Sequence, residues 1–296
     1  MSRVSAPVRT AALLAVLVLG VGGCGAGTPT VANWAAPVSG GGVAPSGPAS
    51  PGSAGPSPSG SVTPAPPPPS GPLDLKAVSG KTIVIDAGHN GGNGAHPEII
   101  NQPVPMGTGT KACDTTGTST NAGYSEAAFT FDVANRLATL LRAAGAKVVM
   151  TRTDNTSVGP CVDKRAAIGN DAHAAVAVSI HGDGAPAGGH GFHVMEPAKV
   201  GAPSDAIIAP SHQLALKVRD SYRARTGIPP STYIGTNGIN TRGDMAGLNL
   251  STVPKVLVEC GNMRNAGDAA FMTGATGRQK VAEGLAGGLA AFLATG

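Results

Sequence analysis

Three short apolar segments of this chain each end at a polar residue whose side chain can bind a metal. The segments are TIVIDAGH, AVSIH and VLVE, which end at His89, His181 and Glu259. Short runs rich in Val and Ile, without alternating polar residues, are typical of strands that are buried on both faces of a parallel sheet. The carboxyl ends of parallel strands line the edge where ligands bind in open α/β folds. We therefore expect these three side chains to lie close together.

A fourth candidate, Glu126, lies at the start of an amphipathic helix between the first two strands. Ser125 is a favourable helix cap, and apolar residues follow at helical spacing: Phe129, Val133, Leu137, Leu140 and Leu141. Two histidines and a carboxylate with one open position form a hydrolytic zinc set, and His89, Glu126 and His181 fit its three places.

Glu259 has a different predicted role from the three ligands. A carboxylate directly after an apolar strand is costly to bury without a partner, which favours a place at the edge of the sheet. There it could act as general base toward a water and then as acid toward a departing amine. A structural interpretation of the set stays open, because isolated histidines are commonly surface or hydrogen-bonded residues, and the helix dipole favours a carboxylate such as Glu126 in a first turn.

The first quarter of the 296-residue chain does not have the composition of a folded core. Arg3 and Arg9 precede a short apolar run, which is typical of an export signal. The run ends in VGGC, which resembles the lipobox of bacterial lipoproteins and would make Cys24 the lipid-bearing residue; an ordinary cleaved signal peptide is the alternative. A long stretch without charge, dominated by Pro, Gly, Ser, Ala and Thr, cannot offset its ordering entropy. We predict a signal peptide over 1–24, a disordered linker over 25–79 and one folded domain over 80–296.

The other three cysteines and the net charge of the chain narrow the class of protein further. Cys113 and Cys161 lie in loops, and in an exported protein we predict that they form a disulfide, which stabilises the fold by about 4 kcal/mol in the chain-entropy model. Cys260 follows a buried strand and is interpreted as a small buried hydrophobe, with a cysteine nucleophile as the alternative. The net charge of +4 comes without a basic cluster or an aromatic ladder, so we expect no nucleic-acid partner, and we expect a monomer.

Strands and helices alternate through the rest of the chain. This order predicts a single α/β domain with a mostly parallel twisted sheet and helices on both faces. Strands are expected over 81–86, 147–151, 175–181, 191–196 and 256–259, and helices over 125–144, 163–173, 211–225 and 277–293. The segment 90–124 shows no helical period and predicts a long irregular loop, so we expect no helix that blocks the site.

Four blocks of sequence carry a resemblance to a known family. They are IVIDAGH, the Ser125–Glu126 helix start, SIHGD at 179–183, and VLVECGN at 256–262 with Asn265. In this order, over about residues 80 to 296, they resemble the zinc-dependent N-acetylmuramoyl-L-alanine amidases of the Amidase_3 type. The resemblance implies one zinc ion per chain on His89, Glu126 and His181, with Glu259 as the catalytic carboxylate.

The same resemblance implies a substrate and a place of action. These enzymes hydrolyse the amide between N-acetylmuramic acid and L-alanine of the peptidoglycan stem peptide. The expected partners are therefore peptidoglycan or its fragments, outside the cytoplasm, and a membrane if Cys24 carries lipid. Two other functions stay open: a zinc peptidase that cuts within the stem peptide, and a lipoprotein that binds wall fragments without cutting them.

Some positions near the predicted site differ from the family pattern or are less certain in role. Gly182 and Asp183 stand where the family commonly has Ala and Asn, and Cys260 stands where it has an aliphatic residue. Asp183 and His193 are candidate substrate contacts. Asp86 either hydrogen-bonds a ligand histidine or caps the end of its strand.

Overall fold

The computed structural model describes residues 71–295. The strands of this region are β1 Thr82–Ala87, β2 Pro103–Pro105, β3 Thr110–Ala112, β4 Lys147–Met150, β5 Val176–Asp183, β6 His193–Pro197, β7 Ile239–Arg242 and β8 Lys255–Asn262. Its helices are α1 Pro97–Ile100, α2 Glu126–Ala143, α3 Val162–Asp171, α4 Ile208–Thr226, α5 Ala246–Asn249, α6 Ala266–Thr273 and α7 Ala275–Leu293. The predicted export signal, Cys24 and most of the predicted linker lie outside the described residues.

Six of the strands form one sheet in the order β4-β1-β5-β8-β6-β7, and β2 pairs with β3 in a separate antiparallel pair. The first four strands in this order, β4, β1, β5 and β8, are parallel to one another. Strand β6 is antiparallel to β8, and β7 is parallel to β6, so the last two strands run in the opposite direction. The predicted mostly parallel α/β sheet is confirmed.

One face of the sheet is apolar along its whole length. Side chains such as Ile85, Val178 and Val258 are completely buried there in one core cluster with residues of α2, α4 and α7. Glycines in α7 allow α4 to approach closely: a Cβ at Gly288 would lie 2.5 Å from the Cα of Val218. The glycine-rich composition of α7 is therefore a packing requirement.

The opposite face changes from apolar to polar along the strands. Near their amino ends Val84 and Ala177 pack in a small cluster with Ile168 of α3. Because alternate side chains of a strand share a face, the next residues on this side are Asp86 and Ser179, which are in register with each other. Helices α3 and α5 cover this face, so helices lie on both faces as predicted, with the three long helices on the apolar side.

Some short elements of the fold differ from the sequence prediction. The segment 90–124, predicted as an irregular loop, contains α1 and the β2–β3 pair. These elements have three or four residues each, which is too short for a hydrophobic period to develop. The ordered part also begins before residue 80, because Lys76–Val78 form a 3₁₀ helix and Val78 is completely buried.

The cysteines of the described region occupy two different environments. Cys113 and Cys161 form a disulfide, as predicted. The bond joins the loop after β3 to the start of α3, where the Val162 N–H also donates to the Cys113 carbonyl at 2.8 Å. Cys260 is buried in the apolar core cluster, and burial raises the pKa of its thiol, which fits the interpretation as a small hydrophobe. Within residues 71–295, no helix is both long and apolar enough to cross a membrane.

Candidate metal centre and active site

Three predicted ligands converge at the carboxyl edge of the central strands. One possible ligand atom from each of His89, Glu126 and His181 lies within 4.8 Å of the others. His89 lies two residues after the end of β1, His181 lies on the neighbouring β5, and Glu126 is the first residue of α2. The Ser125 hydroxyl caps this helix by accepting from the Ala128 N–H at 3.3 Å, which fixes the position of Glu126.

The Glu126 carboxylate lies between the two imidazole rings. Its Oε1 accepts from His181 Nδ1 at 2.9 Å and from the Gly182 N–H at 3.1 Å. Its Oε2 accepts from the Thr118 N–H at 2.9 Å and lies 3.4 Å from His89 Nε2. Burial alone would raise the pKa of Glu126, but the charge of His89 and the His181 hydrogen bond hold it below its usual range. The carboxylate is therefore available as an anionic ligand.

The ring of His89 is oriented by Asp114. His89 Nδ1 donates to Asp114 Oδ1 at 2.9 Å, which leaves Nε2 facing Glu126. Arg165 Nη2 donates to the other oxygen of Asp114 at 2.9 Å. A carboxylate behind a ligand histidine fixes the tautomer and raises the basicity of the metal-binding nitrogen. Sequence reasoning missed Asp114, and the one available signal was its position next to Cys113.

Asp86 does not take the role considered for it behind a ligand histidine. Its carboxylate accepts from the hydroxyls of Thr151 and Ser179 and from Arg165 Nη1, each at 2.8 Å. Arg165 is thus held between Asp86 and Asp114. The Asp86 carboxylate therefore contacts the candidate metal centre only indirectly, through Arg165 and Asp114.

Two glycines provide the space in which the candidate ligands lie. A Cβ at Gly88 would lie 2.3 Å from the His181 ring. A Cβ at Gly117, whose φ is +72°, would lie 2.8 Å from both Glu126 Oε2 and the His89 ring. Larger residues at Gly88 or Gly117 would therefore displace a ring or the carboxylate.

Glu259 lies beside the three ligands on β8, in register with His181. Its Oε2 is buried and has no hydrogen-bond partner among residues 71–295. Burial, followed by repulsion from Glu126 and Asp183, raises the pKa of Glu259 well above its ordinary value. A buried carboxyl oxygen without a partner is costly, and a water or a substrate group beside a metal would satisfy it. The donor set and this oxygen together fit a zinc site.

A cavity of about 380 Å³ opens onto these groups. His89, Glu126, His181 and Glu259 all line it, and Asp183 lines it too. His193 is outside its wall: it is completely buried opposite Glu259 on β6, with neither ring nitrogen hydrogen-bonded among the described residues. Burial lowers the pKa of His193 to about 4, although the charge of Asp183 opposes this change.

This fold and this site define an α/β protein with a ligand group of the kind that zinc hydrolases use. A family model described as N-acetylmuramoyl-L-alanine amidase matches residues 83–291. The N-acetylmuramoyl-L-alanine amidase Rv3717 of Mycobacterium tuberculosis is 47% identical over 220 residues, which are 74% of this chain and 88% of the relative. The chain belongs to the N-acetylmuramoyl-L-alanine amidase family and is an enzyme that acts on peptidoglycan.

Solved structures of relatives agree with this assignment. The amidase Ami1 of Mycobacterium smegmatis is 45% identical and superposes with a TM-score of 0.70, covering 74% of this chain and 99% of its own. The apo form of Ami1 from Mycobacterium abscessus is 46% identical with a TM-score of 0.69, covering 73% of this chain and 100% of its own. The fold and the family predicted from the sequence are both confirmed.

Proposed function

We propose that this enzyme hydrolyses the amide between N-acetylmuramic acid and L-alanine with one zinc ion held by His89, Glu126 and His181. The observation that carries the proposal is the convergence of three ligand atoms within 4.8 Å of one another, beside the buried carboxyl of Glu259. Membership in the amidase family supports the choice of bond.

The candidate ligand atoms are His89 Nε2, a ring nitrogen of His181 and the Glu126 carboxylate. When bound, zinc supplies a Lewis acid that polarises the scissile carbonyl and acidifies a water. His89 Nδ1 donates its proton to Asp114 Oδ1, with 2.9 Å between the two atoms, so that Nε2 keeps its lone pair for the metal.

Glu259 moves the proton in the proposed reaction. Its carboxylate takes a proton from the attacking water, the water oxygen joins the lactyl carbonyl carbon, and the bond from that carbon to nitrogen breaks. Glu259 then gives the proton to the nitrogen of L-alanine, which leaves as a free amine. A raised pKa suits this exchange, because a carboxyl that is too acidic would not return the proton.

Two further residues have proposed roles beside the reacting groups. Asp183 lines the cavity and is the proposed substrate contact. His193 is proposed to support Glu259 from the neighbouring strand, since the two residues are opposite each other in the antiparallel pair. His193 is absent from the cavity wall, so this supporting role is proposed in place of a direct substrate contact.

We propose that the enzyme acts outside the cytoplasm, as an exported protein with a signal peptide over 1–24, a linker over 25–79 and the zinc domain after it. The support is the sequence pattern ending in VGGC together with the peptidoglycan substrate. If Cys24 carries lipid, the mature protein will fractionate with membranes, and Cys24→Ala will release it. A soluble wild-type protein with an unmodified mature N-terminus would contradict anchoring.

Digestion of purified peptidoglycan, followed by mass identification of the products, tests this function. We expect intact stem peptides with a free L-alanine amine, loss of release with a chelator, and recovery with zinc. A cut within the stem peptide would indicate a peptidase. Release that is indifferent to the chelator would contradict the metal, and binding without any release would indicate a wall-binding protein.

A further inference from the structure

We propose that Lys255 forms a carboxylate-binding site inside the cavity and selects stem peptides with a free carboxylate close to the scissile amide. This inference rests on the proposed function, because it assigns a role in binding the same substrate. It concerns a residue that lies apart from the ligands and from Glu259, on the amino-terminal side of β8.

The side chain of Lys255 is buried, and within residues 71–295 its ammonium has one charged partner at a long distance. The side chain is 2% exposed and lines the cavity. Its nearest anion is Asp86, whose Oδ2 lies 3.6 Å from Nζ, which is longer than a hydrogen bond. Among the described residues, no hydrogen bond from this ammonium is present, although an ammonium has three donors. A buried cation with unused donors is costly unless a ligand satisfies it.

Asp86 cannot compensate fully for this ammonium. Its two oxygens already accept from Thr151, Arg165 and Ser179. Burial lowers the pKa of Lys255, the charge of Asp86 only partly opposes this, and Arg165 lowers it further. A further anion beside Nζ would therefore be favourable, and a carboxylate forms stronger hydrogen bonds with an ammonium than a neutral acceptor does.

The position of the Lys255 ammonium determines how far from the scissile amide a bound carboxylate would lie. Lys255 and Glu259 share a face of β8, with Leu257 between them. Asp86 is in register with Ser179, and Ser179 with Leu257, so the contact with Asp86 places Nζ near the level of Leu257. That level is two residues, or about 7 Å, from Glu259.

An extended peptide also covers about 7 Å in two residues, so the matching group is a carboxylate on the second residue of the stem peptide. The cavity reaches the ammonium between β8 and α5, because Lys255 and Gly247 both line it. Met245, Ala246 and Leu248 also line the cavity and contribute apolar surface. Within this part of the wall, a carboxylate would find its charged partner in Lys255.

Two probes of equal shape test the proposal: N-acetylmuramoyl-L-alanyl-D-glutamate with its γ-carboxyl blocked as a methylamide, called the acid, and the α-amide of the same compound. They differ only in the free α-carboxylate. Binding is measured by calorimetry to zinc-loaded Glu259→Gln protein, so that the probes are not consumed. We expect the acid to bind about tenfold more tightly than the amide, as for a hydrogen bond between charged groups. With Lys255→Met added, this ratio should fall to about one, and with Lys255→Arg it should largely remain.

The matched control is Lys111→Met, because Lys111 also lines the cavity but donates to the Asp244 carbonyl at 3.2 Å. The acid-to-amide ratio should survive this change. Equal binding of the two probes by Glu259→Gln protein would overturn the proposal, and this comparison does not depend on whether Lys255→Met folds. A ratio that survives Lys255→Met, or that is lost in Lys111→Met, would also overturn it.

A separate measurement distinguishes failure of this inference from failure of the proposed function. Wild-type enzyme is incubated with the acid probe, and the products are identified by mass. Release of L-alanyl-D-glutamate γ-methylamide with equal binding of acid and amide would reject the role of Lys255 alone. An acid-to-amide ratio that depends on Lys255, without release of this dipeptide, would reject the proposed bond while retaining the carboxylate site.

Discussion

His89 is held in a single orientation by the residues behind it. Asp114 accepts from its Nδ1, and Arg165 in turn donates to Asp114, both at 2.9 Å. The side chain of Arg165 is also fixed by Asp86 at 2.8 Å. The orientation of the ring thus depends on a chain of charged groups that extends from the edge of the sheet into its buried polar face.

Asp114→Ala should weaken zinc binding by about ten- to a hundredfold, because the His89 ring loses its orienting acceptor. Competition with a metal-binding dye measures this affinity. Asp220→Asn is the control, since Asp220 has a largely exposed side chain on α4 and should leave affinity unchanged. Unchanged zinc affinity in Asp114→Ala would show that Asp114 does not position the ligand.

Glu259→Gln should reduce turnover by about 10²- to 10⁴-fold while the zinc content stays near one per chain. The amide keeps the shape of the side chain but cannot take a proton from water. Turnover is followed by peptide release, and metal content by elemental analysis. Retained turnover would reject the base assignment, and loss of zinc in this variant would instead make Glu259 a ligand.

The metal-free protein should lose stability between about pH 4 and pH 2 because of Asp114. Burial raises the pKa of this carboxyl, but the His89 hydrogen bond and the charge of Arg165 lower it to about 2, from an ordinary 3.8. A lowered folded pKa stabilises the protein above the unfolded value, and protonation removes about 2 kcal/mol as the pH falls through the folded value. Urea unfolding at several pH values measures this, and Asp114→Asn should show a smaller loss. Equal pH dependence in the two proteins would contradict it.

The sequence could predict that these candidate residues come together because each lies where a regular element ends or begins. His89 and His181 follow buried strand residues, and Glu126 follows a capping serine. Asp114 could not be found in this way, because it lies in an irregular segment whose place beside His89 depends on tertiary contacts. The burial of Lys255 could not be predicted from the sequence, because a charged residue at the start of a strand is usually exposed.

At the scale of elements, the disulfide connects two parts of the structure that support the candidate metal centre. Cys113 precedes Asp114 in the chain, and Cys161 caps α3, the helix that carries Arg165. The disulfide therefore keeps Asp114 and Arg165 close to each other. The loop that it closes spans 48 residues in sequence.

Replacing both Cys113 and Cys161 by Ser should lower the free energy of unfolding by about 4 kcal/mol, from the entropy of the loop. Zinc affinity should fall as well, since Asp114 would be held less firmly. Chemical denaturation and metal competition measure the two effects, with a reductant added to both proteins as the control. Reductant should weaken the wild type and leave the double variant unchanged. Full zinc affinity in a destabilised double variant would separate the disulfide from the metal centre.

The long elements were predictable and several short ones were not. The three long helices, helix α3 and the central strands have clear apolar patterns, and their order predicted the sheet. Strand β7 and helix α5 have four residues each, so the sequence offers no period for them. The antiparallel direction of β6 also could not be predicted, because it depends on the path of the connection after His181.

For the whole molecule, one sheet separates two functions between its faces. The apolar face packs against α2, α4 and α7 and provides the stability, and the polar face carries the candidate active site near the carboxyl ends of β1, β5 and β8. Leu73 and Leu75 pack against the core cluster, so a shortened chain has to retain them.

A chain of residues 71–296 should therefore cleave soluble peptidoglycan fragments with kcat/KM within about twofold of the full chain, since the catalytic groups and the core are retained. Peptide release from a soluble fragment measures this, with thermal unfolding as the control for folding. Activity of the full chain that appears only after removal of the N-terminal residues would indicate inhibition by that segment.

Hydrolysis of peptidoglycan in water enriched in ¹⁸O tests the central claim most directly, because the water oxygen stays on the carbonyl carbon that is attacked. The proposed reaction places the label in the lactyl carboxylate of N-acetylmuramic acid and leaves the released stem peptide unlabelled, with a free L-alanine amine. Mass analysis of both products gives the answer. Label in a new carboxylate within the peptide would contradict the assigned bond.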